Sequence, residues 1–303
     1  AGAFLAGARV LAAGLALRQF CGKLEKEALI VSPGQINSKF SFLPKFDLIL
    51  HDLKIGKSFV IDVSTKQSQI EELSYKKEGD RLSIFIKPKT GQFTSNDVSF
   101  RNSNFPFDLV VCVGLASLEQ LGNFYSQNAE LFFETPIINI DHRPSNENFG
   151  QFNLVSLNAT SVSEIVYDLI NGYESSLIDE SMATSLLTGI VAGTNSFQHS
   201  RTTPAAFLKA SHLVSLGARQ QEIVAQLFKN KSLGFLKLWG RVLARLKYNQ
   251  NLSLVYSTVG AQDLAKAGAT TDEAAQIIKE MAAQLSFGKI FMFLHELSSD
   301  KTE

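Results

Sequence analysis

The chain has 303 residues, enough for two domains with cores of their own, and an ordinary globular composition: 45% hydrophobic, 19% charged, no low-complexity tract. Lys plus Arg and Asp plus Glu balance at 29 each, so the formal net charge is zero, which argues against a strongly electrostatic nucleic-acid binder but leaves room for a locally basic groove. Cys21 and Cys112 lie far apart in apolar surroundings with no CxxC, which argues against a disulfide framework or zinc site and points to the cytoplasm.

The opening "AGAFLAGARVLAAGLALRQFCGK" is apolar, but Arg9 and Arg18 interrupt it. No run reaches the roughly 18 residues of a membrane span, so no membrane segment is expected. Residues 9–27 read as an Ala-rich buried helix, with a signal peptide as the alternative for the segment. "ALIVS" reads as a strand ending at Pro33-Gly34, and "FDLIL" and "KSFVIDVS" as further strands. Residues 57–104 are β-rich, with "EGD" at 78–80 as the turn of a hairpin inserted in a larger domain, either a lid or a partner-binding ribbon. "FDLVVCVG" (107–114) is a continuous apolar run, "SLEQLGNFYSQN" has helical spacing, and "TPIINID" is a second buried strand. Strand, helix, strand at this spacing is the pattern of a parallel α/β sheet.

Helices are expected at about 160–172, with Thr160 as N-cap, at 179–192, and from Pro204 to a terminating Gly217. Residues 220–248 read as helical throughout. In "FLKLWGRVLARLKY" one face is apolar and the other carries Lys237, Arg241, Arg245 and Lys247, as expected of a connector between two lobes. "LSLVYSTV", a helix at 271–284 and "KIFMFLHEL" complete a thin β-α-β lobe that reads as truncated.

Four segments, in order, resemble the DHH family of phosphoesterases, specifically its nanoRNase/pAp-phosphatase branch. "TPIINIDHRPSNENFGQFNLVSLNATSVSEIVYDLI" (135–170) resembles the third motif and its surroundings, where the family's strand ends in Asp-His-His and is followed by Pro-Ser-Asn. "LLTGIVAGTNSFQHSRTTP" (186–204) is similar to the fourth, and "SLGFLKLWGRVLARLKY" to the interdomain helix. The first motif should fall just before "LALRQF". The likeness covers most of residues 10–297 except the 57–104 insertion. It implies a doubly wound, mostly parallel α/β sheet at 1–218, a helical connector at 219–249 and a partial α+β C-terminal domain at 250–303. It also implies two Mn²⁺ ions that activate a water for cleavage of very short RNAs or dephosphorylation of 3′-phosphoadenosine 5′-phosphate (pAp).

The positions that carry that chemistry in the family are altered. Counting back from Leu15-Ala16-Leu17, the two Asp positions of the first motif are Gly7 and Arg9, and no strand is read ahead of them. The Asp of the second motif is Gly114 and that of the fourth is Gly193. The third motif keeps Asp141 and His142, but its second His is Arg143. His142 is the surviving candidate metal ligand, supported by Asp141, and one imidazole cannot hold two dications, so no cofactor is expected. Arg143 and Arg9, with Thr194 and His199, are candidates for binding phosphate or nucleotide. For the two arginines the alternative is neutralisation of Asp141 or plain solvation. Glu164 and Asp168 share a helix face and read as ordinary surface. The expected function is that of a DHH homologue, catalytically impaired or inactive, that binds a nucleotide, short RNA or phosphate in the old cleft or acts as a partner, with a homodimer allowed. The alternatives are an active Mn-dependent phosphoesterase and an interaction module built on the insertion.

Overall fold

The structure, a computed structural model, describes residues 2–6, 10–34, 36, 40–53, 56–229, 231–298 and 301–302. The chain divides into two compact units, Ala1–Ile223 and Val224–Glu303.

In chain order the first unit contains β1 (Gly2–Ala6), α1 (Leu11–Lys23), β2 (Ala28–Val31), β3 (Ile49–Leu50), β4 (Phe59–Val63), β5 (Ile70–Glu78), β6 (Arg81–Pro88) and β7 (Val98–Asn102). It continues through β8 (Leu109–Val113), α2 (Asn123–Gln127), α3 (Ala129–Glu134), β9 (Ile137–Asp141), β10 (Phe152–Val155), α4 (Val162–Glu174), α5 (Glu180–Gly193), α6 (Pro204–Ser215) and, at its boundary, α7 (Gln220–Val224). Six strands form one parallel sheet in the order β10-β9-β8-β1-β2-β3. The chain winds from β1 outward to β3, returns, and winds outward again from β8 to β10. The β1/β8 junction is thus the switch point, where an open α/β sheet leaves a crevice at the carboxyl ends of its strands.

Val110 to Val113 are buried on both faces of the sheet, which is why this stretch reads as an unbroken apolar run. One face is covered by α1 and α4, with α5 packed on both and α6 packed on α5. The alanines of α1 (Ala12, Ala13, Ala16) allow close approach to α5, and Leu11 and Leu15 are completely enclosed there. At the α4–α5 contact a Cβ on Gly189 would stand 1.8 Å from Ser163 Oγ, so only glycine fits. The other face carries Val110, Cys112, Phe124, Leu131, Phe132 and Ile137 in one cluster.

The structure departs from the sequence reading at several elements. Residues 2–6 form the central strand β1, paired in parallel with β2 and β8, where no strand was expected, and α1 starts at Leu11. "GAFLA" has no period of its own, and pairing on both sides decides its conformation. Gly122, at φ +55°, splits the expected helix 117–128 into a 3₁₀ turn and α2. The insertion consists of two separate antiparallel ribbons, β4–β7 and β5–β6, the second turning at Gly79 (φ +56°) as expected.

The second unit contains α8 (Leu233–Ala244), β11 (Lys247–Asn249), β12 (Leu254–Val259), α9 (Ala261–Ala267), α10 (Thr271–Gln284), β13 (Ile290–Ser298) and β14 (Lys301–Thr302). Its sheet runs β11-β12-β13-β14, parallel only between β12 and β13. The stretch 220–248 is not one helix: a π-helical turn (Ala225–Lys229) follows α7, and α8 ends before β11. Phe235, Leu238 and Val242 on α8 pack against Val255, Ile277 and Met281, so α8 belongs to the core of this unit. On its basic face Arg241 and Arg245 both pair with Asp263 of α9, and together they hold that carboxyl below the usual range. α10 begins at a reciprocal cap: Thr270 Oγ1 accepts the Glu273 N–H (3.2 Å), and a Glu273 carboxylate oxygen accepts the Thr270 N–H (2.9 Å). No described helix is long and apolar enough to cross a membrane.

Candidate functional site

At the carboxyl ends of β8 and β9 the first unit encloses a cavity of about 750 Å³, lined among others by Val10, Gly114, His142, Arg143, Ser161 and Gly193. It lies beside the switch point, where the sheet topology predicts a ligand crevice. The sequence-predicted residues Gly114, His142, Arg143 and Gly193, drawn from three separate segments, meet there. Gly7 and Arg9 lie outside the described residues.

Asp141 is the last residue of β9 and is wholly buried. Its Oδ1 accepts the His142 backbone N–H (2.7 Å) and its Oδ2 accepts Asn146 Nδ2 (2.9 Å). Arg143 Nε donates to both oxygens (3.1 and 3.0 Å), and Arg143 Nη2 stands 2.9 Å from Oδ2 at ion-pair distance. Burial pushes this carboxyl up, but the side chains of His142, Arg143 and Asn146 and the His142 amide together outweigh burial and hold it far below the usual carboxylate range. Of the two readings of Arg143, the contact present is neutralisation of Asp141.

Asn146, in the Pro-Ser-Asn after the strand, belongs to this network without having been a sequence-predicted site residue. Besides Asp141 it donates to the Leu115 carbonyl (2.7 Å), tying the loop after β8 to the loop after β9. It also accepts from Asn139 Nδ2 (2.7 Å), and Asn139 in turn donates to Asn153 (2.9 Å). The available signal was the polar Asn139 in the middle of an otherwise apolar buried strand.

The glycines at two expected carboxylate positions are fixed by packing. Gly114 has φ +61°, and a Cβ there would stand 2.7 Å from Val10 Cγ1. At Gly193 it would stand 2.7 Å from Ser161 Cβ and 3.1 Å from the Thr160 carbonyl. A carboxylate side chain could return at neither position without movement of the wall. Ser161 is the N-cap residue of α4, yet its hydroxyl makes no capping bond and, among the described residues, is buried without a hydrogen-bond partner. Just ahead of the helix, Glu164 accepts from the Thr160 N–H (2.8 Å) and the Thr160 hydroxyl. Glu164 is therefore buried, contrary to the expected helix surface, and Lys209 bridges it to Asp168.

Two expected phosphate-binding residues do not line the cavity. Thr194 is fully buried, its hydroxyl donating to the Ile190 carbonyl (2.7 Å) and accepting the Phe197 N–H (3.0 Å). His199 is exposed and its ring accepts the Arg201 N–H (3.1 Å). Among the described residues, no three His, Cys, Asp or Glu side chains stand close enough together to hold a metal ion. Among the described residues the cavity lining offers one imidazole, and the Asp141 carboxylate beside it is already neutralised by a guanidinium, a donor set that does not fit a pair of divalent cations.

A parallel, doubly wound sheet with its cavity at the switch point is an open α/β fold. An exopolyphosphatase-related protein from Bacteroides fragilis shares it with a TM-score of 0.71 at 15% identity, over 97% of this chain and 75% of that one. In sequence the chain is similar to the bifunctional oligoribonuclease and PAP phosphatase NrnA of Thermus thermophilus (32% identical over 114 residues, 37% of this chain and 34% of that protein). It is also similar to the protein of the same name from Bacillus subtilis (28% over 180 residues, 58% and 55%). These similarities agree with the resemblance to DHH-family phosphoesterases drawn from the sequence. The matches span about a third to about half the length of these curated relatives, and no family model matches the chain.

Proposed function

We propose that this chain is a DHH-family homologue that does not hydrolyse phosphoesters, and that its cavity binds a nucleotide or the end of a short RNA without metal. One observation carries the reading: the Asp141 carboxylate is engaged by Arg143, Asn146 and the His142 amide, while glycine stands at two positions where the family places carboxylates. Two-metal hydrolysis needs several anionic ligands to neutralise two dications and to lower the pKa of the bridging water, and a guanidinium supplies charge without that acidity. The Ser161 hydroxyl in the cavity wall, unpartnered among the described residues, supports a ligand rich in oxygen acceptors.

The test is to dialyse the purified chain against Mn²⁺, measure bound metal by elemental analysis, and assay phosphate release from pAp and a short RNA. Substoichiometric metal and no turnover are expected. Stoichiometric Mn with turnover that disappears in His142→Ala overturns the non-hydrolytic reading. Labelled pAp is then titrated. Saturable binding that weakens in Arg143→Ala supports the nucleotide reading, and absence of binding by the wild type ends it.

A further inference from the structure

The β5–β6 ribbon forms a two-stranded sheet on its own. Every residue of β5 is exposed, and Leu73, Tyr75 and Leu82 are each more than half accessible. The register sets Leu73 opposite Ile86, Tyr75 opposite Ile84 and Lys77 opposite Leu82, so five apolar side chains share one face. A lone ribbon of this kind is marginal in water, because its outer backbone groups are unpaired and its apolar face is uncovered.

The order of residues along β5 says what completes it. Counted outward from Ser74, Leu73 is answered by Tyr75, Glu72 by Lys76 and Glu71 by Lys77. We propose that the chain forms a two-fold dimer in which β5 pairs antiparallel with β5 of a second copy, centred on Ser74. In that register Glu72 faces the partner's Lys76, Lys76 faces the partner's Glu72, and Leu73 lies across from the partner's Tyr75. Each of these contacts occurs twice, as a self-complementary interface requires. Opposite charges and aromatic–aliphatic pairs directly across strands are the favourable ones.

The product is a four-stranded antiparallel sheet, β6-β5-β5-β6, with a continuous apolar face. The other edge is excluded by the same reasoning. A two-fold pairing of β6 about Ile84 sets Arg81 against the partner's Lys87, and Pro88 has no N–H to donate. Within the chain Glu71 pairs with Lys87 and Lys76 with Glu78, all four exposed. Exposed pairs of this type are weak and give way to a cross-strand partner. The register shift between Ile70 and Glu72 ends the regular stretch, so the complementary segment is centred on Glu72–Lys76. The proposal is independent of what the cavity binds.

The test is sedimentation equilibrium on the full chain, comparing wild type, Glu72→Lys, Lys76→Glu and the double variant, with circular dichroism to confirm that each is folded. The wild type is expected to dimerise. Each single reversal is expected to weaken the dimer roughly tenfold, since two cross-strand pairs turn repulsive, and the double reversal to restore it. A wild type that stays monomeric at the highest concentration reached, a dimer indifferent to the single reversals, or a double variant as weak as the singles overturns the proposal.

Discussion

Arg143 Nε lies 3.0 and 3.1 Å from the two oxygens of a carboxylate, Asp141, that has no exposure to solvent of its own. Removing one partner leaves a buried charge. A fully buried pair broken in this way costs about 3–5 kcal/mol. The Arg143 side chain is 35% exposed, and Asn146 and an amide remain on Asp141, so Arg143→Ala is expected to destabilise the first unit by about 2 kcal/mol. Urea unfolding measures it, and Arg143→Ala in an Asp141→Asn background should lose clearly less, because the pair is then already broken.

The same carboxylate has a pH signature. Its folded pKa lies below the unfolded value, so its contribution to stability is complete above the unfolded pKa and is lost as pH falls through the folded one. The stability difference between wild type and Asp141→Asn should therefore hold steady from about pH 7 to pH 5 and shrink below about pH 4. A difference that grows on acidification would show that Asp141 is not the charged partner.

Gly114 and Gly193 are expected to resist even alanine. The Cβ itself meets Val10 or Ser161, and Gly114 adds a left-handed backbone, so Gly114→Ala and Gly193→Ala should each lose about 1–3 kcal/mol. The matched Asp variants should lose little more than the Ala ones. Melting temperatures of the four variants decide it, and alanine variants as stable as wild type would mean that the cavity wall yields.

Asn146→Ala should destabilise by about 1–3 kcal/mol, since it takes the Asn146 donor from the Leu115 carbonyl and leaves Asp141 Oδ2 to Arg143 alone. Hydrogen exchange should rise in the loops after both β8 and β9 in this variant. A rise confined to the loop that contains Asn146 would show that it does not join the two.

Burial pushes the Cys112 thiol up to about 12, whereas Cys21 is only partly covered. A thiol reagent near neutral pH should therefore titrate no more than one cysteine in the folded chain and both in denaturant. Fast labelling of Cys112 without denaturant would indicate opening of the sheet.

The sheet and its site were legible to different depths. The run that became β8 announced itself because burial on both faces leaves only apolar residues, and β9 was legible from its isoleucines despite Asn139 and Asp141. α10 was legible to the residue because its cap is written in sequence, Thr270 three positions ahead of Glu273. β1 and β10 were not, since "GAFLA" and "FNLV" are too short to show a period and are strands only because a neighbour pairs with them. At the site, the meeting of Gly114, His142, Arg143 and Gly193 followed from the motif order. The burial of Thr194 and Glu164 depends on how α4 and α5 pack, which spacing along one chain does not encode.

The position of β1 also bears on how the molecule assembles. Its two neighbours are unequal: Gly2 lies opposite Ala28 on one side and opposite Leu109 on the other, a partner more than a hundred positions away. During synthesis the central strand emerges long before the strand that closes its second edge, and the loop-closure entropy of that pairing must be met before the site can form. The cavity at the β1/β8 junction therefore matures late, and until β8 arrives β1 has an open strand edge.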